Sequence, residues 1–170
     1  MKNILKLLCN ILPLIVISLQ GCQKEDDVDD SRFGCYINGV KWGPYSNDFK
    51  FNPVRADRVT WSGGTTLLIA AHNQENKTEM VAFVLKDFVG EPKTYKLDLP
   101  SSSHGLVTLK DYTEYETDLS NIGQVDVVKI DTVKKQISGN FSFSAKMKNS
   151  NAFLKVNKGY FNVTYKVYYQ

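Results

Sequence analysis

The sequence predicts an all-β fold: an antiparallel β-sandwich of about nine or ten strands, with a flattened barrel as the alternative. Two observations within the chain predict it. From residue 32 onward apolar and polar residues alternate with period 2, and no segment sustains a helical period. Glycine, asparagine and proline clusters interrupt the alternation at short, regular intervals. Length adds a third: 170 residues form one domain able to bury roughly 70% of its unfolded surface without metal staples. With 42% hydrophobic and 23% charged residues, the composition is that of a globular protein.

The first element is "FGCYINGVKW", where Asn38-Gly39 between apolar stretches predicts a tight hairpin with positive φ at both central residues. "GPYSNDFKFNP" loosens the chain, after which "RVTW" and "TTLLIAAH" form a second hairpin about "SGG" and "TEMVAFVLKDF" follows the polar turn "NQENK". Leu67, Leu68, Ile69, Val81, Ala82, Phe83 and Val84 are apolar on both faces, which predicts central strands covered on each side. "TYKLDL" lies between "GEP" and the Pro100–"SSSHG" turn, then "LVTLKDYTEYE" and "QVDVVKID" read as strands. In "KQISGNFSFSAKM" Phe141, Phe143, Ala145 and Met147 face inward opposite Asn140, Ser142, Ser144 and Lys146. In the last strand Phe161, Val163, Tyr165, Val167 and Tyr169 oppose Asn162, Thr164 and Lys166.

Ahead of this domain, Lys2 and Lys6 precede an apolar run from Leu7 to Leu19 that contains Asn10 and Pro13. The run is too short for the ~20 residues of a membrane span and reads as a signal-peptide core. Its end resembles the bacterial lipobox, with Leu19 at −3, Gln20 at −2, Gly21 at −1 and Cys22 at +1. The resemblance implies cleavage after Gly21: Leu19 fills an apolar peptidase pocket, and small Gly21 lets the scissile bond approach. The Cys22 sulfur takes up a diacylglyceryl group and its new amine an acyl chain. At ~0.8 kcal/mol per buried CH₂, two or three chains anchor stably where one is marginal. Residues 1–21 are thus read as signal peptide, 22–31 as lipidated cysteine and acidic tether, and 32–170 as the single domain. Gln23, Lys24, Glu25, Asp26 and Asp27 form a solvated stretch. They are also similar to the export signal that sends Bacteroidota lipoproteins to the cell exterior; the periplasmic face is the alternative.

The motifs "FGCYINGVKW", "ISGNFSFSAK" and "NKGYFNV" resemble the small outer-membrane lipoproteins of unknown function in Bacteroidota. The likeness covers most of the chain, and as relatives of this type have no established catalytic residues, none is carried over.

Charge and chemistry narrow the function further. Without Lys2 and Lys6, nineteen basic residues face 18 acidic ones, a mature charge of about +1 that gives no footprint for nucleic acid. Cys35 is the one cysteine of the domain, which leaves it no disulfide partner, and together with His72 and His104 it lacks zinc-site spacing. It reads as a small buried hydrophobe. "SSSH" places Ser102 and Ser103 near His104 without the orienting carboxylate or oxyanion donors a hydrolase needs. Asp111 opens an acidic stretch in which Glu114, Glu116 and Asp118 would share a strand face, as calcium ligands, paired carboxylates or plain solvated charges.

Aromatic residues near turns, Trp42, Tyr45, Trp61, Tyr112 and Tyr115, are candidates for stacking on a sugar; of these Trp42, Trp61 and Tyr115 are singled out as ligand contacts. The plainer reading puts Trp42 and Trp61 in the core. "DTV" at Asp131 to Val133 matches a short O-glycosylation acceptor of Bacteroidota. The expectation is therefore a lipid-anchored, non-enzymatic binding domain for a glycan or protein, without cofactor, metal or nucleic acid. An interaction subunit of an envelope assembly is the second reading and a hydrolase the third.

Overall fold

The chain reverses at Asn38-Gly39, whose φ angles of 50° and 83° are those a two-residue hairpin turn asks for. This joins β1 (Phe33–Ile37) to β2 (Val40–Trp42). Asn38 also locks the hairpin in place: its N–H donates to Lys155 O at 2.9 Å and its Oδ1 accepts from Lys155 N at 2.8 Å. The computed structural model describes residues 32–46, 50–73, 79–98 and 102–170. The lipobox, Cys22 and the acidic tether lie outside the described residues.

Ten further strands follow: β3 (Val54–Trp61), β4 (Gly64–Asn73), β5 (Glu79–Lys86), β6 (Lys93–Leu97), β7 (His104–Thr108), β8 (Glu114–Glu116), β9 (Gly123–Asp131), β10 (Gln136–Met147), β11 (Phe153–Thr164) and β12 (Lys166–Tyr169). Among the described residues all twelve belong to one hydrogen-bonded sheet in the order β12-β3-β4-β5-β7-β8-β10-β11-β1-β2. The sheet forks at β10, which pairs with β9 from Gln136 to Phe143 and with β8 at Lys146 and Met147; β6 then extends the β9 branch. The all-β class holds, in the form of one curled sheet. Pairing is antiparallel except between β12 and β3, which run parallel.

Curling brings the two halves of the sheet face to face. The Phe83 ring on β5 lies 5.2 Å from Phe141 on β10, 5.4 Å from Phe161 on β11 and 6.4 Å from Phe33 on β1. Around these rings Leu67, Ile69, Val81, Leu85, Ile137 and Val156 are fully buried. Each such side chain contributes on the order of 1.5–3 kcal/mol by leaving water, so this shared core is what holds the curl.

Three strand expectations change. "LVTLKDYTEYE" is two strands, because the chain turns after Leu109 and Tyr112 takes φ 65°. The last strand is broken at buried Tyr165, whose N–H donates to Lys135 O at 2.8 Å; the chain then crosses to β3. Tyr169, expected inward, is 83% exposed because β12 runs out past the core at the edge of the sheet. The apolar second face of β4 and β5 is covered at Ala70 and Ala82, while Leu68 and Val84 stay half-buried.

Candidate functional site

The alternation that fills the core leaves the opposite face of β9, β10 and β11 to polar side chains. Register places Gln124 beside Ser142, Asp126 beside Asn140, Asn140 beside Tyr160 and Ser138 beside Asn162, all on the outer surface. β1 continues this face with Tyr36, set against Asn157 of β11. A bulge in β11, where Lys158 adopts φ 48°, projects its ammonium over the Tyr36 ring at 5.6 Å from the centroid. Tyr36 and Tyr160 are half-buried, so each offers part of a flat ring among amides and hydroxyls.

Two concavities mark this face. The larger, of about 420 Å³, opens where β10 changes partners, over Gly123, Ser142 and Ser144, with Lys96 and Lys155 at its rim and Ile122 and Val156 contributing apolar surface. The fork explains it: β9 begins at Gly123 and β8 joins β10 only at Lys146, leaving a gap bridged by the Ser144 N–H donating to Ile122 O at 3.2 Å. The smaller, of about 100 Å³, is lined by Lys129, Asp131, Gln136, Ser138 and Asn162. Between them Asp126 accepts from Thr94 Oγ1 at 2.6 Å and from Gln124 Nε2 at 2.9 Å, which fixes both side chains.

The residues singled out from sequence fall elsewhere. Trp42 is buried, edge-on to Phe33, with its indole N–H donating to Glu79 Oε2 at 3.1 Å; it is a core residue with one polar tie. Trp61 is 41% exposed at the end of β3, its ring against Gly63, so the expectation that both tryptophans fill the core holds for Trp42 alone. Tyr115 is half-buried against the core from β8. Tyr45 and Tyr112 are exposed in different parts of the chain. None of these five lies beside the larger concavity.

Catalytic and metal candidates are likewise placed. His104 Nε2 lies 3.6 Å from Glu116 Oε1, while His72, on β4, is lowered in pKa chiefly by burial and then by the Arg55 charge, which favours its neutral form. The Ser102 hydroxyl donates to Asp98 at 2.8 Å and the Ser103 hydroxyl accepts from Lys86 N at 3.0 Å. Asp118 does not share a strand face with Glu114 and Glu116: β8 ends at Glu116, and Asp118 caps a turn by accepting from the Ser120 and Asn121 N–H groups at 2.8 and 2.7 Å. Among the described residues no three His, Cys, Asp or Glu side chains gather as a metal site. Cys35 is fully buried and free, its thiol pushed up to about 12 by burial. The "DTV" stretch spans the end of β9 and an exposed turn.

The polar face was visible in the sequence as the Asn140, Ser142, Ser144 alternation, which reads equally as a solvated strand surface. Tyr36 and Tyr160 carry no local signal, since their proximity comes from β1 pairing with β11 across most of the chain.

No curated protein and no solved structure matches this chain. A family model matches residues 47–164, from just before β3 to the end of β11, and so takes in the fork of the sheet and both concavities. By that match the chain belongs to the domain of unknown function family DUF6252.

Proposed function

We propose that this protein is an outer-membrane lipoprotein, anchored through Cys22 and displayed on the cell exterior, whose β domain is a non-enzymatic glycan binder. The observation that carries the binding reading is the outer face of β9–β11. There Gln124, Asn140, Ser142 and Asn162 supply donors and acceptors beside the half-exposed rings of Tyr36 and Tyr160. Sugars combine apolar ring faces with a rim of hydroxyls, and sites for them pair aromatic surface with a few placed polar groups. The anchoring reading rests on the leader, Leu19-Gln20-Gly21-Cys22 and the acidic tether.

Affinity electrophoresis through gels containing a panel of polysaccharides tests the binding. Retardation by at least one polymer, lost on Asn140→Ala/Tyr160→Ala, is expected; free migration in every gel refutes the reading. Cys22→Ala should release the protein from membranes, and continued pelleting with palmitate labelling would refute the anchor. Protease shaving of intact cells tests display, protection from cleavage favouring the periplasmic face.

A second reading, an interaction subunit of an envelope assembly, is favoured by the outer side of the β3–β12 edge. Trp61 and Tyr168 are 41% and 42% exposed there, beside half-buried Val59. Crosslinking in intact cells that captures a partner through that edge supports it.

A further inference from the structure

We propose that the ligand of the polar face is a linear, acid-bearing polysaccharide that lies along β10 and is held at both concavities. This rests on the glycan-binding reading above and adds the charge and the minimum length of the ligand. Ser138 lines the smaller concavity and Ser144 the larger, and both point outward from the same strand. Six residues of strand separate them, roughly 20 Å at ~3.3 Å per residue. A disaccharide does not cover that span, whereas an extended oligosaccharide does.

Each concavity holds a lysine without a carboxylate partner among the described residues: Lys129 in the smaller, Lys155 in the larger. A second lysine of the larger one, Lys96, pairs with Asp98 at 3.2 Å, but 63% of its side chain is exposed, and a pair of that kind holds its partner weakly. The two aspartates of the face are already engaged. Asp126 accepts from Thr94 and Gln124, and Asp131 Oδ1 accepts from the N–H groups of Val133 and Lys134 at 3.0 and 2.8 Å. These donors are neutral and leave both carboxylates charged, but they occupy carboxylate oxygens; the lining of the larger concavity has Lys96 and Lys155 and no carboxylate, and each ammonium can meet an anionic oxygen from a range of directions. Neutral Asn140 lies between the two concavities, with Ser142 at the near edge of the larger, and both suit the hydroxyls of the bound sugars. Two weak subsites joined by one polymer reinforce each other through effective concentration.

The test uses the full chain purified from membranes in a non-ionic detergent. The probes are polygalacturonate, its methyl ester, dextran sulfate and dextran, so that carboxylate, sulfate and uncharged polymers are compared on matched backbones. Calorimetry should show at least one charged polymer binding about tenfold or more tighter than its neutral counterpart, with affinity falling as salt rises. Acidic oligosaccharides long enough to span both concavities should bind about tenfold tighter than the corresponding disaccharide. Lys129→Gln/Lys155→Gln should remove that preference, while Lys110→Gln/Lys166→Gln, which change exposed lysines elsewhere, should leave it intact. Equal affinity for charged and neutral polymers overturns this inference and leaves glycan binding standing. Equal loss in both lysine pairs, or no gain with length, also overturns it. Failure of all four polymers to bind overturns the inference here, whereas the broader panel decides the glycan reading itself.

Discussion

Alanine at Gly123 would strike the point where β9 is seated on β10. Gly123 stands opposite Phe143, and a Cβ added there would lie 2.1 Å from Phe143 Cβ, 2.4 Å from Ser142 O and 2.5 Å from Phe143 Cα. Backbone atoms have no rotamer to adopt, so the strand must lift at that pair. Overpacking costs ~1–3 kcal/mol, and with pairing disturbed as well the expected loss is near the upper end, about 3 kcal/mol. Gly105 provides the contrast. The nearest atoms to a Cβ there are Phe143 ring carbons, at 3.0 to 3.1 Å, and a ring can tilt away, so Gly105→Ala should cost about 1 kcal/mol. Urea unfolding followed by the fluorescence of buried Trp42 measures both, the midpoint moving at constant slope. The methyl of Gly105→Ala should partly fill the space vacated in Phe143→Ala, giving the two changes a favourable coupling of about 1 kcal/mol in a double-mutant cycle. A Gly123→Ala protein within about 0.5 kcal/mol of wild type, or more stable than Gly105→Ala, would refute this account of the fork.

Phe83→Ala should cost about 3–5 kcal/mol in the same unfolding assay, because the ring is fully buried and touches the opposite half of the sheet; a loss below about 1 kcal/mol contradicts the shared core. Cys35 should resist thiol reagents at pH 8 in the native protein and react once urea unfolds it, as mass spectrometry will show. Its raised pKa also fixes a sign. The unfolded thiol ionises above its ordinary value while the folded one stays protonated, so stability falls as pH rises from about 9 toward 12, less steeply in Cys35→Ala. Asp118 is held below the usual carboxylate range chiefly by the Asn121 side chain, so Asn121→Ala should raise its pKa by NMR titration. The stability it contributes is present above the unfolded pKa and disappears as pH falls through the folded value.

Local chemistry made much of this fold legible. Asn38-Gly39 specifies its own turn, and the alternation of Phe141, Phe143 and Ala145 with Ser142 and Ser144 assigns the inner face of β10 before any partner is known. Long-range geometry was harder to read. Nothing near Tyr165 announces that the chain leaves β10's neighbour and crosses to β3, because the alternation continues unbroken through the break. The candidate site divides the same way. Its serines and asparagines are an ordinary solvated strand until β9, beginning only at Gly123, leaves a cleft over them. The tryptophans drew attention by their places near turns, yet Trp42 lies in the core, and the rings beside the amides are the tyrosines of β1 and β11.

The parallel pairing of β12 with β3 makes β12 a guard. Between Asp57 and Thr60 the outer edge of β3 is, among the described residues, paired with Lys166–Tyr169, and Gln170 adds one hydrogen bond to Thr60 O at 3.0 Å. Removal of Lys166–Gln170 would bare a row of unpaired backbone groups on a strand that carries Val54, Ala56 and Val59. Such an edge is a template for any extended segment, including one from a second copy of the chain. High local concentration would sharpen that hazard, so a protein lacking Lys166–Gln170 should self-associate where the intact one does not.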